Sequence, residues 1–137
     1  MADTLKLEIV TPEAIVYSQD VEMVTLPGVE GQLGVFPKHV PLLTQMLPGE
    51  VIVSKGGQTE LLAVGEGVIE VTADHVSILT DMAIGADQID EAKVEEARKR
   101  AEARLQEKLS DEEHASTNAS LARALAQLNV KRRHRPK

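Results

Sequence analysis

Glycine and proline are confined almost entirely to the first part of this chain of 137 residues. All nine glycines precede Ala86, and neither glycine nor proline occurs from position 87 to position 130. Because these two residues end regular helices and shape turns, a long stretch without them favours helix, whereas the punctuated first part favours short strands. The sequence therefore predicts two units, residues 1–86 and residues 87–137.

The first unit has the pattern of a β-sandwich or a flattened barrel. Apolar and polar residues alternate from Leu5 to Ile9, which is the period of a strand with one buried face. Further short β-rich runs follow, separated by turn signals such as Pro27-Gly28 and Pro48-Gly49. Residues 55–58, Lys-Gly-Gly-Gln, predict a hairpin tip because glycine readily adopts the positive φ that such turns need.

The second unit predicts a helical hairpin. Asp87 is the expected N-cap of the first helix with Asp90 as its capping-box partner, residues 110–112 form a break, and the second helix runs from about Ala115 to Val130. The expected contact stripe is rich in alanine: Ala97, Ala101, Leu105 and Leu109, facing Ala115, Ala119, Ala122 and Ala126 with flanking Leu121, Leu125 and Leu128. Alanine favours helix but buries little apolar area. The sequence therefore leaves two possibilities, a weakly packed hairpin that can open and a closely packed, stable one.

The composition excludes several classes of function. There is no cysteine, which rules out disulfides and thiolate chemistry. One Tyr, one Phe, no Trp and a net charge of −7 argue against nucleic-acid binding. The four histidines are scattered, so no metal site is expected. The sequence has no apolar run long enough to span a membrane and no signal or transit segment at its start, which predicts a cytoplasmic or equivalent compartment.

The stretch PGVEGQLGVFPKHVPLL, residues 27–43, permits a phosphate-binding loop, a tight hairpin or a partner-docking loop. A P-loop needs Gly-Lys, which occurs nowhere, and the Val35-Phe36-Pro37 segment cannot open the helix that a dinucleotide fingerprint requires. A hydrolase site built on His39 lacks the GxSxG elbow. A turn and a tight loop are therefore the favoured interpretation of the glycines.

Three features of the chain resemble one family. GVEGQLGVFPKHVPLL, the segment GEGVIEVTADHVSILTDMA at 65–83, and the order of a β unit before two helices are similar to the ε subunit of bacterial and chloroplast F-type ATP synthase, whose mitochondrial counterpart is called δ. The resemblance implies an α+β fold, a ten-stranded β-sandwich followed by an antiparallel two-helix hairpin.

The resemblance also implies a function without catalysis by this chain. It implies a central-stalk rotor subunit of the proton-translocating synthase that binds the γ subunit and the c-ring and couples ring rotation to the catalytic α/β head. The C-terminal helices are expected to inhibit ATP hydrolysis. The expected place is the cytoplasmic face of the bacterial inner membrane, peripheral and held only through the complex, in preference to a plastid thylakoid.

Site residues follow from the resemblance position by position. The expected c-ring contacts are Val29, Glu30, Gly31, Gln32 and His39, and the expected γ contacts are Thr11 and Thr44. The expected inhibitory contacts are Arg98, Lys99, Arg100, Arg104, Lys108 and Arg123. The positions corresponding to nucleotide binding in some members are Ile89, Asp90, Lys93, Arg100 and Arg123. Because Lys93 replaces an arginine and lacks its forked geometry, ATP is expected to bind weakly or not at all, and no cofactor is expected.

Two alternatives remain, a small β-sandwich enzyme and a stand-alone adaptor with a helical arm. An enzyme needs a cluster of titratable groups in a pocket, and the adaptor differs from a stalk subunit in not requiring γ as a tight partner. The basic end of the chain, residues 131–137, is interpreted as a frayed, solvated terminus.

Overall fold

The computed structural model describes residues 3–134 as ten β-strands, a 3₁₀ turn and two α-helices. The strands are β1 (Leu5–Val10), β2 (Ile15–Val21), β3 (Met23–Gly28), β4 (Gly31–Val35), β5 (Leu42–Met46), β6 (Gly49–Lys55), β7 (Gln58–Val64), β8 (Gly67–Val71), β9 (His75–Thr80) and β10 (Ala83–Gly85). The 3₁₀ turn (Ala86–Gln88), α1 (Glu91–Arg104) and α2 (Asp111–His134) follow.

The strands form a sandwich that nearly closes on itself. Their hydrogen-bonded order is β10-β7-β6-β3-β5-β8-β9-β1-β2, with β4 paired to β3 beside this path. Only the β1–β9 pair is parallel among the described strands. One half contains β10, β7, β6, β3 and β4, and the other contains β5, β8, β9, β1 and β2. The halves join where β3 meets β5 at the pair Gly28–Met46. They are also joined by the Glu22 amide after β2, which donates to the Ser54 carbonyl of β6 at 2.9 Å. The prediction of a ten-stranded sandwich followed by a two-helix hairpin is confirmed.

The core between the two halves is almost wholly aliphatic. Leu5, Leu7 and Ile9 are at most 2% exposed, which confirms the alternation read from β1. The ring of Tyr17 also enters this core, and its hydroxyl donates to Glu60 Oε1 at 3.1 Å, so that β2 is bound to β7 across the gap. Burial of aliphatic side chains at about 1.5–3 kcal/mol each thus holds the sandwich together without aromatic stacking.

The two glycine-rich segments form hairpins. Lys55 pairs with Gln58, and Gly56 and Gly57 between them have φ of 59° and 78°, as that turn predicts. In the stretch 27–43, Gly28 pairs with Gly31, which leaves a turn of two residues between β3 and β4. The hairpin interpretation of this stretch is confirmed, and the phosphate-loop alternative is wrong because no helix follows it.

The first helix begins later and ends earlier than predicted. Asp90, and not Asp87, is the N-cap: its Oδ1 accepts the Lys93 amide at 3.2 Å. Asp87 lies in the 3₁₀ turn. Ile89, two residues later, is extended and 4% exposed, so a helix that started at Asp87 would be interrupted there. The helix ends at Arg104, so Leu109 lies beyond it.

The predicted break at residues 110–112 is instead the start of the second helix. Ser110 Oγ accepts the Glu113 amide at 3.1 Å, and Glu113 Oε1 accepts the Ser110 amide at 3.2 Å, which is a capping box. The hydrogen bonds from Ser110 hold the pKa of Glu113 below its ordinary value. The predicted start near Ala115 and end at Val130 are wrong, since α2 continues to His134.

The helices bury a different stripe from the predicted one. Ala101, Ala126 and Leu128 are buried as expected, whereas Ala115 and Leu125 are exposed. Buried residues that the stripe missed are Val94 on α1 and Thr117, Ala124 and Val130 on α2. The reason is that α2 packs against β7, β6 and the 3₁₀ turn as well as against α1, so its buried face is set by the sandwich.

Tyr17 gives a test of the packing of the sandwich core, because it is the only tyrosine in the chain. Burial, followed by the nearby charge of Glu60 and the hydrogen bond to it, raises the pKa of Tyr17 from 10.0 to about 12. Absorbance at 295 nm should therefore titrate with a midpoint near pH 12. Since the folded-state pKa is the higher one, this group stabilises the fold fully below pH 10 and progressively less up to pH 12.

The matched variant is Glu60→Gln, which removes the charge and should lower the midpoint while burial keeps it above 10.0. Circular dichroism recorded in the same titration reports whether the chain is still folded. A midpoint at 10.0 in folded protein would contradict the buried Tyr17–Glu60 pair.

Candidate functional site

An exposed apolar row crosses four strands on the outer face of the sandwich half that the helices do not cover. It consists of Val68 on β8, Leu79 on β9, Val10 on β1 and Ile15 on β2, each paired with the next across the sheet. Val68, Leu79 and Ile15 are 41%, 58% and 62% exposed. We call this set the apolar row.

The alternation of the strands places the apolar row in solvent. The adjacent residues Ile9, Ile69 and Ile78 are fully buried, so their neighbours along each strand point outward. The next row of pairs on the same outer face is mostly polar, with Glu70 opposite Ser77, although the exposed Leu43 of β5 pairs with Glu70 at its end. A contiguous apolar row beside polar residues is typical of a protein-docking surface.

The two threonines predicted to face γ lie beside the apolar row. Thr11 follows Val10 directly, and Thr44 precedes Gln45, which pairs with Val68. The Thr11 hydroxyl donates to the Ala14 carbonyl at 3.3 Å, and both threonines are half-buried. The backbone positions of both residues therefore bracket the row on β1 and β5.

The residues predicted to contact the c-ring lie at opposite ends of β4. Val29 and Glu30 form the β3–β4 turn, with Gly31 and Gln32 opening β4, and the Val29 amide is held by the Gln45 carbonyl at 3.0 Å. His39 lies past the other end of β4, about 16 Å along the strand by its length of five residues. The structure thus does not bring His39 together with the turn.

The loop that carries His39 is fixed by its backbone. Lys38 has φ of 68°, a left-handed conformation that is uncommon outside glycine, and its amide donates to the Ala73 carbonyl at 2.6 Å. His39 Nδ1 donates to the Val40 carbonyl at 2.6 Å. The histidine is therefore engaged within its own loop.

The basic residues of the hairpin divide into paired and unpaired groups. Arg98 binds Glu95 and Glu102 on its own helix, and Arg104 binds Glu113 at 3.0 Å across the helix–helix connection. The hydrogen bonds from Arg98 lower the pKa of Glu95 below its ordinary value. Within residues 3–134, the other three predicted inhibitory residues of α1 and its end are exposed and form no ion pair: Lys99, Arg100 and Lys108.

The positions predicted for nucleotide binding are only partly brought together. Arg100 lines a groove between α1 and α2, and Ser120 on its edge accepts a hydrogen bond from Arg123 Nη2 at 3.2 Å. Ile89 is buried and Asp90 caps α1, so neither lines this groove. Lys93 is exposed on the first turn of α1 and also lies outside it.

Three basic residues of α2 bind the sandwich unit and its 3₁₀ turn. Arg123 pairs with Asp81 at 3.1 Å, Arg133 with Glu50 at 2.6 Å, and Lys131 Nζ donates to the Ala86 carbonyl at 3.2 Å. The interpretation of residues 131–134 as a solvated terminus is therefore wrong, and residues 135–137 lie outside the described part of the chain. No local pattern in the sequence signals these partners, because each lies far away along the chain.

A glycine makes room for one of these contacts. A Cβ placed on Gly65 would lie 2.0 Å from Asp81 Oδ1 and 3.4 Å from Arg123 Cδ. Any side chain at position 65 would push the carboxylate of Asp81 away from its place beside α2. The Asp81–Arg123 ion pair therefore requires glycine at position 65.

Metal binding and membrane spanning gain no support from residues 3–134. No cluster of His, Asp and Glu suited to a metal ion occurs among them. Neither described helix has the length and apolar character that crossing a bilayer requires.

Two family models match the chain and together extend over most of it. Residues 4–86 match the β-sandwich domain of the ATP synthase delta/epsilon chain, and residues 87–132 match its long α-helix domain.

Curated relatives agree over nearly the whole length. The chain is 42% identical over 129 residues to the ATP synthase epsilon chain of Laribacter hongkongensis, covering 93% of this chain and 92% of that one. It is also 42% identical over 129 residues to the epsilon chain of Bacillus licheniformis, covering 94% of this chain and 98% of that one.

Solved structures share the fold at lower identity. A chain of the mitochondrial ATP synthase of Euglena gracilis, from its OSCP/F1/c-ring structure, superposes with a TM-score of 0.77 at 22% identity, over 92% of this chain and 79% of that one. A chain from the central stalk/c-ring structure of the Tetrahymena thermophila enzyme gives 0.60 at 12% identity, over 93% and 96%. At these identities the likeness shows the fold.

Proposed function

The chain belongs to the ATP synthase delta/epsilon family, and from this premise we propose that it is a non-catalytic central-stalk subunit of a proton-translocating synthase. In this role the sandwich binds the γ subunit and the c-ring and couples ring rotation to the catalytic α/β head. We assign partner binding to residues 1–86 and regulation to residues 87–137.

The apolar row is the observation that carries this proposal. It leaves Leu79 and Ile15 more than half exposed on a face without helices, which is costly for a chain that acts alone. We propose that γ covers this row, with Thr11 and Thr44 at its borders. The requirement for γ separates the stalk role from that of a stand-alone adaptor.

The β3–β4 turn is the proposed contact with the c-ring. Val29, Glu30 and Gln32 are exposed, and the turn is braced by the bond from the Val29 amide to β5. A short, braced turn keeps its shape under load better than a long loop does. His39, at the other end of β4, is proposed as a second contact. Because it lies apart from the β3–β4 turn, the c-ring would contact the sandwich at two separate places.

The helical hairpin is the proposed inhibitory element. Its attachment combines a small apolar cluster that includes Leu128 and Val130 with ion pairs that individually contribute about 0–1 kcal/mol, so competing contacts with the catalytic head can shift it. Lys99, Arg100 and Lys108 are exposed and free of ion pairs within the described chain, which leaves them available to acidic groups of the catalytic head. Arg98, Arg104 and Arg123 become available only after they exchange partners.

ATP is retained as a regulatory ligand of low affinity, and no cofactor is proposed. Arg123 is engaged by Asp81, and Asp90 by the helix cap, so a nucleotide would have to displace both contacts. The proposed location is the cytoplasmic face of a bacterial plasma membrane, peripheral and held through the complex.

The substitution Leu79→Asp tests the γ interface. It places a charge in the centre of the apolar row, and a buried unpaired charge together with the lost apolar contact should weaken γ binding by about tenfold to a hundredfold. Thermal stability should change little, because Leu79 is 58% exposed in the free chain. Binding is measured by isothermal titration with purified γ.

The control for Leu79→Asp is Phe36→Asp, an apolar residue of similar exposure at 59%, in the loop that the Lys38 amide ties to Ala73 at the end of β8 opposite Val68. Its binding to γ should remain within about threefold of the unmodified chain. A result in which Phe36→Asp abolishes binding and Leu79→Asp does not would reject the apolar row as the γ contact.

The triple substitution of Lys99, Arg100 and Lys108 by alanine tests inhibition. Losing three exposed pairs of about 0.5 kcal/mol each shifts the balance between free and inhibitory hairpin about tenfold. The ATP hydrolysis rate of the reconstituted head should therefore rise about twofold or more while γ binding persists. A chain ending at Ala86 should raise the rate at least as far.

Lys55→Ala, on the β6–β7 hairpin of the sandwich, serves as the control for the loss of an exposed basic side chain outside the helices and should leave the rate unchanged. Equal hydrolysis rates with the unmodified chain, the triple variant and the shortened chain would reject inhibition and leave coupling as the role of the sandwich. Failure of every form to bind γ would reject the stalk role itself.

A further inference from the structure

A cleft of about 790 Å³ lies between α2 and the turn that joins β5 to β6. Its apolar walls include Leu47 from the turn and Leu125 from α2, which are 46% and 42% exposed. The size falls within the range of pockets that hold small organic ligands. The cleft is distinct from the groove between α1 and α2, because Arg100 and Ser120 do not line it.

The lining that α2 contributes changes from apolar to basic along the helix. Leu125 belongs to the apolar part, and Asn129, Arg132 and Arg133 line the end nearer the C-terminus. Leu125, Asn129 and Arg133 are spaced by four residues, so they lie on one face of the helix. At a rise of 1.5 Å per residue, Leu125 and Arg133 are about 12 Å apart along the axis. The cleft therefore offers an apolar part and a basic part to one extended ligand.

The charge that a ligand can reach in this cleft is positive. The side chains of Arg132 and Arg133 are 53% and 62% exposed, whereas that of Glu50 is only 13% exposed. Arg133 Nη1 donates to Glu50 Oε1 at 2.6 Å, and Glu50 Oε2 is buried. A ligand in the cleft therefore meets two guanidinium groups and little of the carboxylate, which favours an anionic head group.

Both arginines keep N–H donors for such a head group. A guanidinium carries five donors in a planar fork geometry that matches the two oxygens of a carboxylate. Within the described part of the chain, Arg133 uses Nη1 for Glu50, which leaves Nε and Nη2 without a protein partner. Arg132 uses Nε and Nη2 for Glu91 and Glu95, which lie outside the lining, and keeps Nη1. A carboxylate can thus bind Arg133 at two points without displacing Glu50.

We propose that this cleft binds a monomeric aliphatic carboxylate of medium chain length, such as octanoate. The carboxylate accepts hydrogen bonds from Arg133 Nε and Nη2, and the alkyl chain lies between Leu47 and Leu125. Because the cleft walls come from both the sandwich and α2, the bound carboxylate stabilises the arrangement in which the hairpin is folded against the sandwich. Binding at this site does not depend on the proposed role in the synthase.

The test compares three ligands on the full chain by NMR chemical-shift titration, at concentrations at which all three are monomeric. Octanoate carries the charge and the alkyl chain, octanamide the chain without the charge, and acetate the charge without the chain. Octanoate should bind about tenfold or more tightly than either, because the charge-assisted pair needs the carboxylate and apolar burial needs the chain. The shifts should centre on Arg133 Nε–H and on the amides of Leu47 and Leu125.

Two variants and a matched control make the assignment specific. Arg133→Lys keeps the charge beside Glu50 but lacks the fork, so octanoate should lose most of its preference over octanamide. Leu125→Ala should weaken octanoate and octanamide alike and leaves the Arg133–Glu50 pair intact, so it tests the apolar wall even if Arg133→Lys loosens the hairpin. Arg104→Lys changes an arginine that binds Glu113 outside the cleft, and it should leave octanoate binding unchanged.

Three results would overturn the proposal: equal affinities for octanoate and octanamide, equal affinities for octanoate and acetate, or shifts that lie outside the cleft. The same holds if Arg133→Lys and Arg104→Lys bind octanoate equally well.

Discussion

The packing of α2 against the outer face of β7 is the interaction on which the arrangement of this molecule depends. Leu128 and Val130 are buried there beside Ala63 and Ile89, in a cluster separate from the sandwich core. Few large side chains take part, so burial at about 1.5–3 kcal/mol each stabilises this contact far less than the many aliphatic residues stabilise the core. The hairpin can therefore detach at a cost below that of unfolding the chain.

This one contact also decides which surfaces remain for partners. Because the helices cover the half of the sandwich that contains β6, β7 and β10, the opposite half keeps its outer face exposed, and the apolar row lies there. The β3–β4 turn projects at the end where Gln45 connects it to that face. A hairpin that moves would leave the γ surface and the turn unchanged, which allows coupling and regulation to operate separately.

Local patterns in the sequence predicted the fold but not the attachment of its parts. The alternation in β1 and the Gly56-Gly57 turn depend on neighbouring residues, and both predictions were correct. The N-cap at Asp87 failed because the burial of Ile89 against α2, a tertiary effect, keeps that segment extended. The ion pair of Arg133 with Glu50 joins residues so distant in sequence that no periodicity marks it. The residue roles carried over from the resemblance remain predictions.

Native-state amide hydrogen exchange tests the central claim most directly, that the hairpin leaves the sandwich without unfolding it. The amides of Ala124 and Leu128 should exchange through an opening whose free energy is lower than that of Ile9 and Ile78 in the core. That difference should grow in Asp81→Asn, which weakens one of the contacts to α2. If Leu128 and Ile78 instead exchange with the same free energy and respond equally to denaturant, the hairpin and the sandwich form one cooperative unit, and the account of a detachable hairpin is wrong.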